Sequence, residues 1–160
     1  ISQKNVSNKI KIGYLRENND DKEIYMEFAK DFYSSDAVDH TVPESHFEAA
    51  FNEFFRSSDY LEGYILEYES KPVGYGIISK TFSPEAGGVV IWIEELYLLD
   101  EYRSKGLGRD FFEHLEQKAN SEGIARQRLE ISPSNERAKK LYMKMGFKEL
   151  DYKQMVKDYK

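Results

Sequence analysis

The stretch from Arg103 to Arg109, RSKGLGR, sets Gly106 and Gly108 among three cationic side chains, Arg103, Lys105 and Arg109, where an amphipathic helical pattern begins. At a helix start the first backbone N–H groups lack intrahelical partners, and the helix dipole adds about half a positive charge. Glycines remove the Cβ atoms that would hold a phosphate away from those N–H groups. The turn therefore reads as a cradle for a phosphate or pyrophosphate. An ordinary basic turn, with glycines serving only local geometry, is the alternative.

What the turn lacks narrows the ligand. A P-loop needs Gly-Lys followed by Ser or Thr, but Leu107 follows Gly106. A dinucleotide fingerprint needs a third glycine at position 111, which is Phe111. With no Cys in the chain, a cysteine acyl-enzyme and a thiolate zinc site are excluded, and a reducing compartment fits. His40, His46 and His114 show no ligand spacing, so no metal is expected, and His114 reads as a helix-surface residue.

The net charge of −6 argues against a general nucleic-acid binder. Its distribution is uneven: residues 17–62 hold 13 acidic and 3 basic side chains, whereas residues 124–160 hold 5 acidic and 10 basic. One part suits a cation and the other an anion, unless these are two solvated faces of opposite sign. No apolar run reaches the roughly 18 residues of a membrane span, and no signal-peptide pattern opens the chain. A soluble, cytoplasmic protein without a membrane partner is expected.

The elements that must position the turn follow from periodicity. Residues 1–9 are polar and expected to be a flexible N-terminus. Ile10, Ile12 and Tyr14 alternate as in a half-buried strand. Ile24, Phe28 and Phe32 then mark one helix, and Phe47, Ala50, Phe51 and Phe54, after Pro43, a second. Three strand patterns separated by short turns, YLEGYILEY, VGYGIIS and VVIWIEELYLL, predict an antiparallel meander. In them Trp92, Tyr64 and Tyr75 read as sheet packing. A third helix is predicted from Gly108 to Glu122, then a parallel strand from Arg128 to Ser132. A fourth helix carries Ala138, Leu141, Tyr142 and Met145 on one face and stops at Gly146. One or two closing strands are predicted over Phe147–Lys157. This order gives an α/β (α+β mixed) fold, a mostly antiparallel sheet flanked by about four helices, and not a doubly wound nucleotide fold.

In this setting Arg103 to Gly108, RxxGxG between an acid-bearing strand and an amphipathic helix, resembles the pyrophosphate signature of the GNAT superfamily of N-acetyltransferases. NERAKKLYMKMGF, Asn135 to Phe147, resembles the family's later segment, and the element order matches from about Ile10 to Lys157. The acidic pair before an aromatic-rich strand end is similar to that of the polyamine (spermidine/spermine-type) branch. Ser104 departs from the family, many members of which have glycine directly after the Arg.

The resemblance implies one acetyltransferase domain over residues 10–160, acetyl-CoA as cosubstrate, and direct attack of an amine on the thioester. Cofactor contacts would come from Arg103, Ser104, Lys105, Gly106, Leu107, Gly108 and Arg109 at the phosphates. The backbone of Leu96, Tyr97 and Leu98 would serve the pantetheine and the thioester oxygen, and Asn135 would add a further contact. An ammonium with a pKa of about 10.4 must lose a proton before it attacks. Glu94 matches the substrate-side acid, as base or amine anchor. Glu95 is the internal alternative, expected on the opposite face of the strand. Tyr142 matches the family's general acid, although its place on an apolar helix face equally fits packing. The family's two helices after the first strand border the acceptor cleft, so Asp31, Asp36, Asp39, Glu44 and Glu48 would attract a small cationic amine. A non-catalytic acyl-CoA-binding module and a protein or peptide N-acetyltransferase are the alternatives, and a homodimer is compatible with such folds.

Overall fold

The computed structural model describes residues 10–35 and 41–160. The expected flexible segment over residues 1–9, and Asp36, Asp39 and His40, lie outside the described residues. Two compact units are distinguished, one running to Leu129 and the other Glu130–Lys160, and each is described by itself.

The first unit is built in the order β1 (Lys11–Tyr14), α1 (Asn19–Ser34), α2 (Glu44–Arg56), β2 (Leu61–Tyr68), β3 (Lys71–Ser83), β4 (Gly88–Leu98), a 3₁₀ turn (Asp100–Tyr102), α3 (Leu107–Glu122) and β5 (Arg126–Leu129). The sheet order is β1-β2-β3-β4-β5, antiparallel except for the β4/β5 pair, whose parallel strands are joined through α3. This is the expected mixed sheet. A parallel neighbour requires a crossover, and α3 provides it.

Two apolar clusters divide the core. Tyr25, Phe28 and Ala29 of α1 and Phe47 and Phe51 of α2 pack with Ile65, Tyr75, Ile77 and Tyr97 of the sheet. Tyr64, Leu66, Val73, Ile78 and Ile91 pack instead with Leu107, Phe111 and Leu115 of α3. Within β3, Ile77 belongs to one cluster and Ile78 to the other, as alternating side chains require. Burying a side chain of this kind contributes roughly 1.5–3 kcal/mol, so the sheet is held from both sides.

The parallel strand differs from expectation. It spans Arg126–Leu129, pairing Val90↔Arg126 through Ile93↔Leu129, and Glu130 to Ser132 lie outside it. The reason lies in β4. Ile77 pairs with Glu95 and Ile78 with Ile93, so Glu94 is an extra residue in the ladder. Such a β-bulge bends its strand, and the β5 ladder ends at the residue before it.

In the second unit, α4 (Glu136–Lys144) starts at Asn135, whose side-chain oxygen accepts from the Ala138 N–H at 3.1 Å. The chain turns at Gly146, with φ of 96°. The predicted closing strands over Phe147–Lys157 do not form. Apolar residues there fall at Phe147, Leu150, Tyr152, Met155 and Val156, so only Leu150 and Tyr152 are two residues apart. Without one repeating face there is nothing to fix a register.

Candidate active site

The basic turn and the acidic pair sit at the same end of β4. After Leu98 the chain makes its 3₁₀ turn and reaches Gly106, which caps α3 in the left-handed region with φ of 81° and provides no side-chain cap. The first-turn N–H groups of α3 are therefore not closed off by a capping side chain. A Cβ on Gly108 would meet only Leu96 Cδ2, at an ordinary 3.7 Å, so packing within the protein does not demand glycine there. Its lack of a Cβ leaves the first turn of α3 open to close approach from outside. Leu107 is buried and anchors the helix start, while Ser104, Lys105 and Arg109 are exposed.

Arg103 is also exposed, but it already has work inside the loop. Its Nε donates to the Leu98 carbonyl at 2.9 Å, its Nη1 lies 2.6 Å from Asp100, and its guanidinium stands 5.8 Å from the centre of the Tyr97 ring. Lys105 Nζ lies 5.5 Å from the Tyr102 ring. This donor set, exposed cations around uncapped N–H groups, fits a diphosphate.

The bulge gives the two glutamates different surroundings. Glu94 is exposed, and its Oε1 accepts from Ser79 Oγ at 2.6 Å. Glu95 is half-buried and turns into the layer between the sheet and α1, where its Oε1 accepts from the Tyr75 hydroxyl at 2.7 Å and the Tyr33 phenol lies nearby. Burial pushes its pKa above the usual carboxylate range; the two phenols pull it down, and the Glu94 charge raises it further. The phenols respond in kind: burial, reinforced by the Glu95 charge, raises the pKa of Tyr25, Tyr33 and Tyr75.

Between Glu94 and Leu98 the edge of β4 that faces β5 has no ladder partner in that strand. The opposite edge pairs with β3, as in Gly76↔Leu96 and Gly74↔Leu98. Backbone N–H and C=O groups are thus presented along one edge, just where pantetheine contacts are expected from Leu96, Tyr97 and Leu98. The side chains serve packing: Tyr97 is buried against α1 and α2, and Leu96 and Leu98 pack toward α3. Tyr97 also donates a hydrogen bond to Asp31 of α1.

The acidic helices are less available than their charge implies. Asp31 is engaged by Tyr97, Glu44 pairs with Lys30 at 2.9 Å, and Glu48 pairs with Lys22 at 2.9 Å. These contacts stitch α1 to α2 and to β4. His114 is not a plain surface residue; it is half-buried with its ring 5.5 Å from Tyr64, and burial and Lys118 lower its pKa. Among the described residues no cluster of His, Cys, Asp and Glu has the arrangement of a metal site, and no helix is long and apolar enough to cross a membrane.

In the second unit Asn135 acts as a helix cap. Tyr142 is half-buried, with its ring 6.0 Å from that of Phe147, and burial raises its pKa. None of the α4 residues is fully buried. What sequence reading missed is the hydrogen bond from Tyr75 to Glu95. The one signal was a tyrosine on the neighbouring strand pattern, which does not specify a partner.

Comparison with known proteins follows the same lines. The chain matches the model of the acetyltransferase (GNAT) family over residues 22–147. It is 32% identical over 78 residues to the thialysine N-epsilon-acetyltransferase of Bos taurus, a match covering 49% of this chain and 45% of that protein. The match thus spans about half the length of this curated relative. Among solved structures, a possible acetyltransferase from Clostridium difficile 630 superposes with a TM-score of 0.77 at 20% identity, covering 94% of this chain and 97% of that one. The aminoglycoside N-acetyltransferase AAC(6')-Iy, in complex with CoA, superposes with a TM-score of 0.72 at 16% identity, covering 96% and 99%. The phosphate-type turn, the bulged acidic strand and the sheet order are found together with a family match over most of the chain: this protein belongs to the acetyltransferase (GNAT) family.

Proposed function

We propose that this protein is an acetyl-CoA-dependent N-acetyltransferase that acts on a primary amine of a small cationic acceptor. The observation that carries the reading is the placement of an anion cradle, Arg103 to Arg109 at the head of α3, on the same strand end as an exposed carboxylate, Glu94. The match to a protein named for acetylating thialysine supports an amine acceptor.

In this reading Arg103, Lys105 and Arg109, the Ser104 hydroxyl and the N–H groups around Gly106, Leu107 and Gly108 hold the pyrophosphate. The open β4 edge from Leu96 to Leu98 bonds the pantetheine, and an N–H there takes the charge that develops on the thioester oxygen. Asn135 adds a contact from the start of α4. Glu94 serves as base or amine anchor. Proton balance fixes the other roles. The ammonium gives one proton to a carboxylate, and its freed lone pair forms the new C–N bond as the C–S bond breaks. The nitrogen then loses a second proton, and the departing sulfur, with a thiol pKa near 8.5, gains one. Tyr142, with its phenol kept protonated by burial, is the donor to that sulfur, a role that rests on the family resemblance.

The test is thiol release from acetyl-CoA over a panel of primary amines, run with wild type, Glu94→Gln and Tyr142→Phe. The reading expects turnover with at least one amine. It expects a fall in kcat of about 10²-fold or more for Tyr142→Phe, within the range for a lost general acid. Normal kinetics in both variants would remove these residue roles, and acetyl-CoA binding without turnover on any amine would favour a non-catalytic acyl-CoA-binding module.

A further inference from the structure

Beside the apolar cluster, the sheet face that α1 and α2 cover carries two opposite charges. Ile91 and Ile93 of β4 pack toward α3, so Trp92 between them faces the other way. Ser79 pairs with Trp92 in the antiparallel ladder and Arg128 pairs with it in the parallel one, which puts these three side chains on one face. Glu94, the extra residue of the bulge, joins them there, since its Oε1 accepts from Ser79 Oγ at 2.6 Å. None of the four belongs to the α1–α2 cluster; Glu94 is exposed and the others are half-buried.

The Arg128 guanidinium stands 4.5 Å from the centre of the Trp92 ring. Among the described residues it has no ion pair, whereas Arg126, on the same face, meets Glu85 at 3.3 Å. A guanidinium drawn to a ring still has N–H donors in a fork that matches the two oxygens of a carboxylate. Glu94 is the complement: Ser79 takes one of its oxygens, and the carboxylate keeps lone pairs for an ammonium. Two residues along β4 cover about 6–7 Å, and one strand spacing adds about 4.8 Å sideways, so the two charged positions lie apart by roughly the length of an extended lysine side chain.

We propose that Arg128, seated on Trp92, binds a carboxylate of the acceptor, so that the substrate is a lysine-type amino acid whose far amine rests at Glu94. The proposal rests on the acetyl-transfer reading above and narrows its acceptor. Such an amino acid carries two ammonium groups and one carboxylate, so it remains a small cation. It differs from a linear polyamine in the group that meets Arg128: the amino acid brings an anion there, and the polyamine a like charge, which is repelled. Trp92 gives the aliphatic spacer an apolar floor between the two charges.

The test compares lysine, lysinamide, in which the carboxylate is a neutral amide, and cadaverine, in which it is absent. Wild type is expected to favour lysine over either in kcat/KM by about tenfold or more, the range for hydrogen bonds to a charged group. In Arg128→Gln that preference collapses, and in Arg128→Lys, which keeps the charge without the fork, it is intermediate. A structural role for Arg128 would lower all three activities together and keep the preference. Trp92 is the one tryptophan of the chain, so binding is also followed without turnover. With CoA present, lysine saturates a change in Trp92 fluorescence, and lysinamide with wild type, or lysine with Arg128→Gln, saturates it about tenfold more weakly. The proposal is overturned if wild type shows no preference for lysine, if the preference survives in Arg128→Gln, or if lysine leaves the Trp92 signal unchanged or saturates it no more tightly than lysinamide. Absence of turnover in wild type with every amine overturns the proposed function instead, and the fluorescence titration still decides whether the carboxylate subsite exists.

Discussion

At Ser104 a side chain occupies backbone space that favours glycine, with φ of 60°. A left-handed residue other than glycine costs about 1–2 kcal/mol, and glycine gives back roughly 0.5–1 kcal/mol through its freer unfolded chain. Ser104→Gly is therefore expected to raise stability by about 0.5 kcal/mol in urea unfolding while lowering acetyl-CoA affinity about tenfold, the loss expected for one hydrogen bond to a charged group. Unchanged affinity in calorimetry would remove the Ser104 hydroxyl from the phosphate site. Legibility at this scale was mixed. The glycines and cations of the turn were readable because their chemistry is local. The contrast between Glu94 and Glu95 was not: strict alternation put them on opposite faces but gave no environment to either, and the bulge that creates the contrast depends on Ile77 and Ile78 across the strand pair.

Among the elements, β4 and α3 set the site, and α3 is tied to β2 and β3 on the far side of the sheet from Glu95. Glu62 of β2 accepts from Tyr64 at 3.0 Å and pairs with Lys80 of β3 and Lys118 of α3, and Lys118 also reaches Glu122 at 2.8 Å. Burial alone would raise the Glu62 pKa, but the hydrogen bonds from Lys118 and Lys80 outweigh it and hold the carboxyl below the usual range. A depressed carboxyl pKa contributes stability that is fully present above the unfolded value of about 4.3 and is lost as pH falls through the folded value. Lys118→Met leaves Lys80 as the remaining partner of Glu62 and is expected to cost about 3 kcal/mol at pH 7, the low end for breaking a buried pair. The gap between variant and wild type should narrow below pH 4 in urea titrations; a gap independent of pH would assign the loss to packing. The helices and the meander were legible because their apolar periods are long and clean. The end of β5 was not, since a strand requires a partner and the bulge that removes it is a tertiary feature; the closing strands were predicted on a segment without one repeating apolar face.

For the molecule as a whole, the sequence carried the fold class and the family, because an anion cradle, an acidic strand and the order of elements are each visible in one dimension. Charge distribution was a weaker guide. Asp31, Glu44 and Glu48 form internal contacts, so the acidic character of residues 17–62 serves the α1–α2 layer as well as any acceptor. The claim at this scale is that the protein joins the acetyl group of acetyl-CoA to a primary amine. Mass spectrometry of a primary-amine panel, thialysine included, after incubation with protein and acetyl-CoA tests it directly. The account predicts one acetylated amine per thiol released, with product formation lost in the Glu94→Gln/Glu95→Gln double variant. Thiol release without acetylated amine, or product formation unchanged in the double variant, would contradict it.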